Sequence, residues 1–403
     1  MYSYIPRTRY IERAGPFIGK QLIKVITGQR RVGKSYLLYH LMDEVQEQHP
    51  GCNIIHIDKE KAAFDFIRDY RSLLDYITKN KKEGLNAVFI DEIQDIEQFE
   101  KALRDLYSDP AYDLYCTGSN AKMLSGELST LLSGRFVEIE VHSLSYPEFL
   151  IFHKTKDSDE SLARYLEIGG LPNLIHLDLV DHVVKDYLSS IHTTIIYKDV
   201  LRRHSIRNIT FLENLVQYLA GNIGNIFSAK KISDYLKSQQ VNIAPNTVLD
   251  YLGYLCNAYI IHKVPRANVV GKKVFEVGEK YYFEDLGIRN SISGYNPADI
   301  GGMIENAIYT HLRYLGYHVK VGVSGNKEID FVAERENERI YIQASYLLHS
   351  DATIEREFGN LLNIKDNYPK FVVSMDQFTG GNSYKGIQHL HLRDFLSETR
   401  FLI

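Results

Sequence analysis

The chain has 403 residues, more than one hydrophobic core ordinarily serves, so two or three domains are expected. Hydrophobic residues make up 44% and charged residues 24%, the balance of a globular protein, and a formal net charge of −4 leaves nucleic-acid binding to a local basic patch if it occurs. Cys52, Cys116 and Cys256 are widely spaced, no apolar run spans a bilayer, and Met1–Tyr10 lacks the apolar core of a signal peptide, so a reduced, cytoplasmic setting without membrane contact is expected. Met1–Lys20 reads as a basic lead-in of helix and loop. Leu22–Ile26 is a short apolar strand. Gly28-Gln29-Arg30-Arg31-Val32-Gly33-Lys34-Ser35 follows, and a helix opens at Ser35. Strand, G-x-x-x-x-G-K-S, helix is the context of a phosphate-binding loop. Glycines let backbone N–H groups wrap an anion, and the helix N-terminus adds positive potential at the same place. Gly28, Arg31, Gly33, Lys34, Ser35 and Tyr36 are the candidate nucleotide contacts, with Lys34 on the β- and γ-phosphates of ATP and Ser35 on Mg²⁺.

Asn53–Asp58 is a β-branched run and a second strand. Phe64–Asn80 has helical spacing. Ala87–Ile90 is an apolar strand that ends in Asp91-Glu92. Asp91 is placed to meet Mg²⁺, and Glu92 to polarise the water that attacks the γ-phosphate. Asp113–Asn120 is a strand that ends in small polar residues, where Ser119 or Asn120 suits a γ-phosphate sensor or, alternatively, a helix cap. Leu131–Phe136 leads into a fifth strand, Val137–Val141. Arg135 at its start is either an arginine finger, in cis or from a neighbouring subunit, or one half of a surface ion pair. Strands alternating with helices predict a parallel sheet with the nucleotide at its carboxyl edge.

Gly28–Ser35, Asp91-Glu92-Ile93-Gln94, Thr117-Gly118-Ser119, Ser133-Gly134-Arg135 and Leu144–Phe149 together resemble a prokaryotic family of AAA-type ATPases. Gly169-Gly170-Leu171-Pro172, Lys280–Asn290 and Glu328–Val332 extend the resemblance over nearly the whole chain. It implies ATP binding and hydrolysis, a winged-helix middle and a restriction-endonuclease-like C-terminal domain of unknown function. The expected fold class is α/β: a P-loop NTPase parallel sheet of the AAA type, a helical winged-helix domain, and a small α/β nuclease-like domain. The expected boundaries are 1–145, 146–290 and 291–403.

In the middle segment, Ser145–Ile175 reads as helices around Gly169–Pro172. Val180–Arg203 and Phe211–Ala220 are further helices, and Arg202, Arg203, His204 and Arg207 add basic character. A helix from Ser228, a turn at Asn242–Pro245, a second helix from Thr247 and two strands around the loop Arg266–Lys273 have the winged-helix layout. Lys230, Lys231, Arg266, Lys272 and Lys273 suit phosphate contacts. The second helix offers only Asn246 and Thr247 as readers of base edges, so a spacer or backbone-binding role competes with sequence reading.

The last third predicts a helix over Ile304–Leu312 and strands over Val319–Val323, Lys327–Ala333 and Arg339–Tyr346. This order resembles the PD-(D/E)xK nuclease core. Asp330, Glu305 and Gln343 match its metal-site positions, and Ser345 stands where the lysine belongs. Without that lysine's charge, and with a neutral Gln343, the site reads as degenerate. Three functions follow: an Mg²⁺-dependent ATPase coupled to a conformational change on a nucleic acid or protein partner; an ATP-gated, metal-dependent DNA endonuclease; or an ATP switch without significant nuclease activity.

Overall fold

The computed structural model describes all residues except 1–3, 122–131, 205, 207, 239, 269–277, 326, 377–382 and 402–403. Leu131, Arg207, Lys272 and Lys273 therefore lie outside the described residues. The chain forms two compact units: Met1–His142 with Asn257–Tyr259, and Ser143–Cys256 with Ile260–Ile403.

The first unit is built on five parallel strands: β1 (Ile23–Thr27), β2 (Asn53–Asp58), β3 (Asn86–Asp91), β4 (Tyr112–Gly118) and β5 (Phe136–Glu140). Their order across the sheet is β2-β3-β4-β1-β5, which inserts β4 between the strand before the phosphate loop and the strand that ends in Asp91. Every residue of β1, β3 and β4 is buried, as expected for strands covered by helices on both faces. Ile23, Val25, Ile57, Val88, Ile90, Leu103 and Leu106 make one apolar core with the helices Tyr70–Asn80 and Phe99–Tyr107. The helix expected from Phe64 begins instead at Tyr70. Asp69 caps it, accepting from the Ser72 N–H at 2.9 Å, while the Ser72 hydroxyl accepts from the Asp69 N–H at 3.1 Å. Because all five strands run the same way, the loops after Thr27, Asp91 and Gly118 leave from one edge; Thr27 pairs with Gly118 and Ile90 with Cys116.

The second unit begins with helices at Tyr146–His153, Asp159–Ile168, Asp181–Thr194, Ile209–Gly221, Ala229–Ser238 and Pro245–Asn257. A wider π-wound segment, Ile195–Leu201, continues the third. The motifs at Gly169-Gly170 and Asp285-Leu286-Gly287 explain one another. The buried Asp285 carboxylate accepts from the Gly170 N–H at 2.8 Å and from the Ile288 N–H at 3.0 Å. A Cβ at Gly170 would run into the Leu144 carbonyl, so this close approach requires glycine.

The second sheet contains β6 (Ile261–Asn268), β7 (Glu279–Phe283), β8 (His318–Ser324), β9 (Lys327–Arg335), β10 (Glu338–Ala344), β11 (Lys370–Ser374), β12 (Ser383–Tyr384) and β13 (Ile387–His391). Their order is β12-β13-β11-β10-β9-β8-β6-β7. The pairing of Arg266–Asn268 with Val321–Val323 joins the β6–β7 hairpin to the C-terminal strands in one sheet. Phe227 adds a further bridge to Glu279. The helices Ile300–Tyr314 and Asp351–Leu362 pack on this sheet. Among the described residues, no helix is long and apolar enough to cross a membrane.

Candidate functional site

The loop after β1 turns tightly enough to require its glycines. Gly28 has φ +141°, and a Cβ there would strike the Val141 carbonyl oxygen. Arg31 and Gly33 follow with φ of +73° and +96°, and the helix Lys34–Gln48 starts directly after them. The buried Lys34 Nζ donates to the Gly28 and Gln29 carbonyl oxygens at 3.1 and 3.0 Å, and it lies 3.9 Å from Glu92 Oε1. The Ser35 hydroxyl lies near enough to Asp91 to favour its ionised form. Gln29 is fully buried, yet neither end of its amide has a hydrogen-bond partner among the described residues. A buried amide in this position can meet an ordered water or a polar ligand. These residues fit a magnesium-bound polyphosphate: a glycine cradle, one lysine, and a hydroxyl already beside a carboxylate.

The acidic side of the site is preassembled at the end of β3. Glu92 takes the left-handed conformation, φ +53°, uncommon for a non-glycine residue and characteristic of sites where the surroundings dictate the backbone. The Thr117 hydroxyl donates to Asp91 and accepts from the Glu92 N–H at 2.9 Å. The Ser119 hydroxyl donates to Glu92 Oε2 at 3.2 Å, and the Gln94 amide donates to the same oxygen. Burial pushes the Asp91 carboxyl above its ordinary range, against the pull of the Ser35 and Thr117 hydroxyls. Burial also acts to raise Glu92, but Lys34, Arg30 and the bonds from Gln94 and Ser119 outweigh it and hold the carboxyl below its ordinary range. Glu92 is thus kept ionised, while Asp91 gains from an arriving cation.

Lys34, Ser35, Asp91, Glu92 and Ser119 therefore come together at one edge of the sheet, with Gly28 and Gly33 shaping the loop. Arg31 and Tyr36 flank that loop with exposed side chains. Arg135 does not join them. It precedes β5, whose first residue Phe136 pairs with Ile23 at the start of β1, and its guanidinium lies over the Tyr107 ring, 5.4 Å from the centroid. The length of β1, about 16 Å at about 3.3 Å per residue, separates it from the phosphate loop. Within one chain Arg135 is thus at the wrong edge for a finger. Sequence reasoning missed Thr117, Gln94, Arg30 and Gln29. Thr117 had a readable signal: two residues before Ser119 in an extended strand, it faces the same side.

Over 402 residues the sequence is 32% identical to an uncharacterized protein of Haemophilus influenzae, covering 98% of this chain and 99% of that one. Residues 20–150 match the profile of the AAA domain. The chain belongs to this AAA-type family. Residues 159–299 of the AAA-type protein match a domain of unknown function, DUF8612. A second relative, the uncharacterized protein MJ1544 of Methanocaldococcus jannaschii, is 30% identical over 357 residues, covering 83% of this chain and 77% of that one. Among solved structures, the Aeropyrum pernix ORC1 protein in complex with DNA is similar at a TM-score of 0.33 and 12% identity, over 72% of this chain and 93% of that one. Neither profile extends past residue 299, so the nuclease resemblance rests on the residues alone.

The AAA-type protein has a second cluster of charge in its C-terminal sheet. Asp330 on β9 accepts from the Gln343 amide at 2.7 Å and from the Ala344 N–H at 2.9 Å. Glu305, on the helix Ile300–Tyr314, accepts from the Tyr282 hydroxyl at 2.8 Å. Lys280 of β7 reaches both carboxylates and Glu328 as well. Lys370 is engaged elsewhere, with Asp366 at 3.0 Å, and Ser345 donates to the Leu347 carbonyl at 3.3 Å. Burial, then the neighbouring Asp330, pushes Glu305 up to about 7, and burial raises Asp330 too. Burial acts to lower Lys280, but Asp330, Glu305 and Glu328 hold it well above its ordinary value.

Proposed function

We propose that the protein binds ATP with Mg²⁺ at the loop Gly28–Ser35 and hydrolyses it. The observation that carries this reading is the convergence of Lys34, Ser35, Asp91 and Glu92 in one buried hydrogen-bonded constellation. Bound magnesium supplies charge neutralisation on the phosphate oxygens. Ser35 and Asp91 are the residues that would hold it. Lys34, now spanning two loop carbonyls, would exchange them for phosphate oxygens, and the Gln29 amide offers unpaired polar atoms beside the loop. Glu92, kept ionised, takes a proton from the attacking water as general base. Gln94 and Ser119 hold its carboxylate in place, and Ser119 doubles as the sensor of the terminal phosphate. Arg135, over the Tyr107 ring, could act as a finger only toward a neighbouring copy, the alternative being a surface ion pair.

Turnover is proposed to drive a conformational change on a DNA or protein partner in the cytoplasm. The proposed functional division is 1–145, 146–290 and 291–403, with the β6–β7 hairpin of the middle part joined to the C-terminal sheet. The order of the helix Ile209–Gly221, the Phe227 bridge, the helices Ala229–Ser238 and Pro245–Asn257, and the hairpin β6–β7 supports a winged helix in the middle part. Lys230, Lys231, Asn246 and Thr247 are at least partly exposed there, which supports contact with a nucleic-acid backbone rather than reading of a long sequence. The endonuclease reading has less support, because Gln343 carries no charge and Ser345 stands where the lysine belongs.

Lys34→Ala is expected to weaken ATP binding at least 100-fold in an equilibrium titration with a fluorescent analogue. Wild-type ATPase assays with and without DNA then identify the partner class through stimulation. Equal DNA affinity in the ATP-bound and nucleotide-free states would reject a DNA switch, since a ligand without differential affinity shifts nothing.

A further inference from the structure

Three carboxylates that converge on one point form a site for a hard divalent cation, since Mg²⁺, Mn²⁺ and Ca²⁺ all prefer oxygen ligands. Here a side chain of the protein takes that point. Lys280 Nζ lies 3.0 Å from Glu305 Oε2, 3.0 Å from Glu328 Oε1 and 3.3 Å from Asp330 Oδ1. An ammonium has three N–H donors, so each carboxylate receives one. The lysine is 3% exposed, and it reaches the cluster from β7, whereas Glu328 and Asp330 are on β9 and Glu305 on the helix Ile300–Tyr314.

We infer that Lys280 is the resident cation of this centre: a tethered ammonium stands where a divalent metal ion would bind, and the C-terminal domain is metal-free by construction. The charge count supports this. Glu305, Glu328 and Asp330 contribute −3 and Lys280 +1. Arg266, with Nη2 3.6 Å from Glu328 Oε2, contributes another +1. The Tyr282 hydroxyl, donating to Glu305 at 2.8 Å, helps to hold the remaining −1. The bordering Glu357 has its own partner in Arg356, at 2.6 Å. A divalent ion would have to evict a buried ammonium and strip it of three charge-assisted bonds, and broken buried pairs of this kind cost several kcal/mol. The lysine also does mechanically what a metal would do, since it ties β7 to β9 and to the helix Ile300–Tyr314.

The test is a Mn²⁺ titration of the full-length, nucleotide-free protein by electron paramagnetic resonance. Wild type and Glu305→Gln should bind the same number of Mn²⁺ ions. Lys280→Met should gain one ion, at least tenfold more tightly held than any in wild type, and lose it again when Glu305→Gln is added. A bound ion in wild type that disappears in Glu305→Gln overturns the inference, as does a folded Lys280→Met that gains none. If Lys280→Met does not fold, the comparison of wild type with Glu305→Gln still decides. Failure here leaves the ATPase reading untouched, because the Lys34 site lies in the other unit.

Discussion

Replacing Glu92 by glutamine removes one negative charge from the buried end of β3 and keeps the side chain's shape. An amide oxygen still accepts from Ser119, 3.2 Å away, so the constellation should stay assembled. What disappears is the ability to take a proton. General-base catalysis is worth roughly 10²–10⁴ in rate, or about 3–5 kcal/mol on the barrier. Binding should move the other way. Lys34 Nζ sits 3.9 Å from Glu92 Oε1 with both groups buried, an attraction of about 4 kcal/mol at an effective dielectric constant of about 20. Glutamine releases most of that hold and leaves the lysine freer to meet phosphate. Turnover in Glu92→Gln should therefore fall about 100-fold or more, with the dissociation constant for ATP unchanged or lower. Single-turnover phosphate release and equilibrium nucleotide binding measure the two separately. Turnover within tenfold of wild type would remove Glu92 as the base. Nucleotide binding weakened more than tenfold would contradict the competition for Lys34.

Gln94→Ala removes the amide that donates to Glu92, so kcat should fall roughly tenfold while KM changes little; a KM effect alone would mean that Gln94 touches the nucleotide instead. Glu305→Gln should alter the pH dependence of stability. The folded-state pKa of Glu305 is raised from 4.5 to about 7, so the folded state holds the extra proton and wild-type stability falls as pH rises through that window. The melting temperature of Glu305→Gln relative to wild type should therefore climb between pH 4.5 and 7 and level off above it. A difference that stays constant with pH would show that Glu305 titrates normally.

The nucleotide side of the fold was legible because its chemistry is contiguous. Gly28–Ser35 and Asp91-Glu92 each sit on a single strand and its following turn, and parallel strands send those turns to one edge without further instruction. Thr117 and Gln94 were harder to see. Each lies inside a stretch whose neighbour had the more obvious charge, and their roles consist of orienting that neighbour. Arg135 is the opposite case: of the readings open in sequence, strand polarity removes the finger in cis. An arginine close to a sheet strand in sequence looks well placed, but strand polarity decides which edge it occupies. Once β5 runs parallel to β1, a residue that precedes β5 belongs to the amino edge, away from the loop Gly28–Ser35.

The C-terminal centre defeated motif reading for a different reason. A motif specifies order along the chain, whereas charge balance specifies position in space, and the lysine that satisfies this cluster lies 50 residues before Asp330. Once Lys280 is in place, the odd residues around it become consistent with one another. Gln343, with its amide on Asp330, adds no fourth negative charge for the lysine to neutralise. Ser345, two residues further along, turns its hydroxyl to the Leu347 carbonyl at 3.3 Å and adds no charge to the cluster. A glutamate at 343, by contrast, would add a further negative charge to a buried cluster that already holds three carboxylates, at a cost that a neutral side chain avoids. A neutral residue at 343 thus goes with a tethered cation at 280, and Gln343→Glu alone should destabilise the sheet, read as a lower melting temperature than wild type at neutral pH, rather than create a metal site.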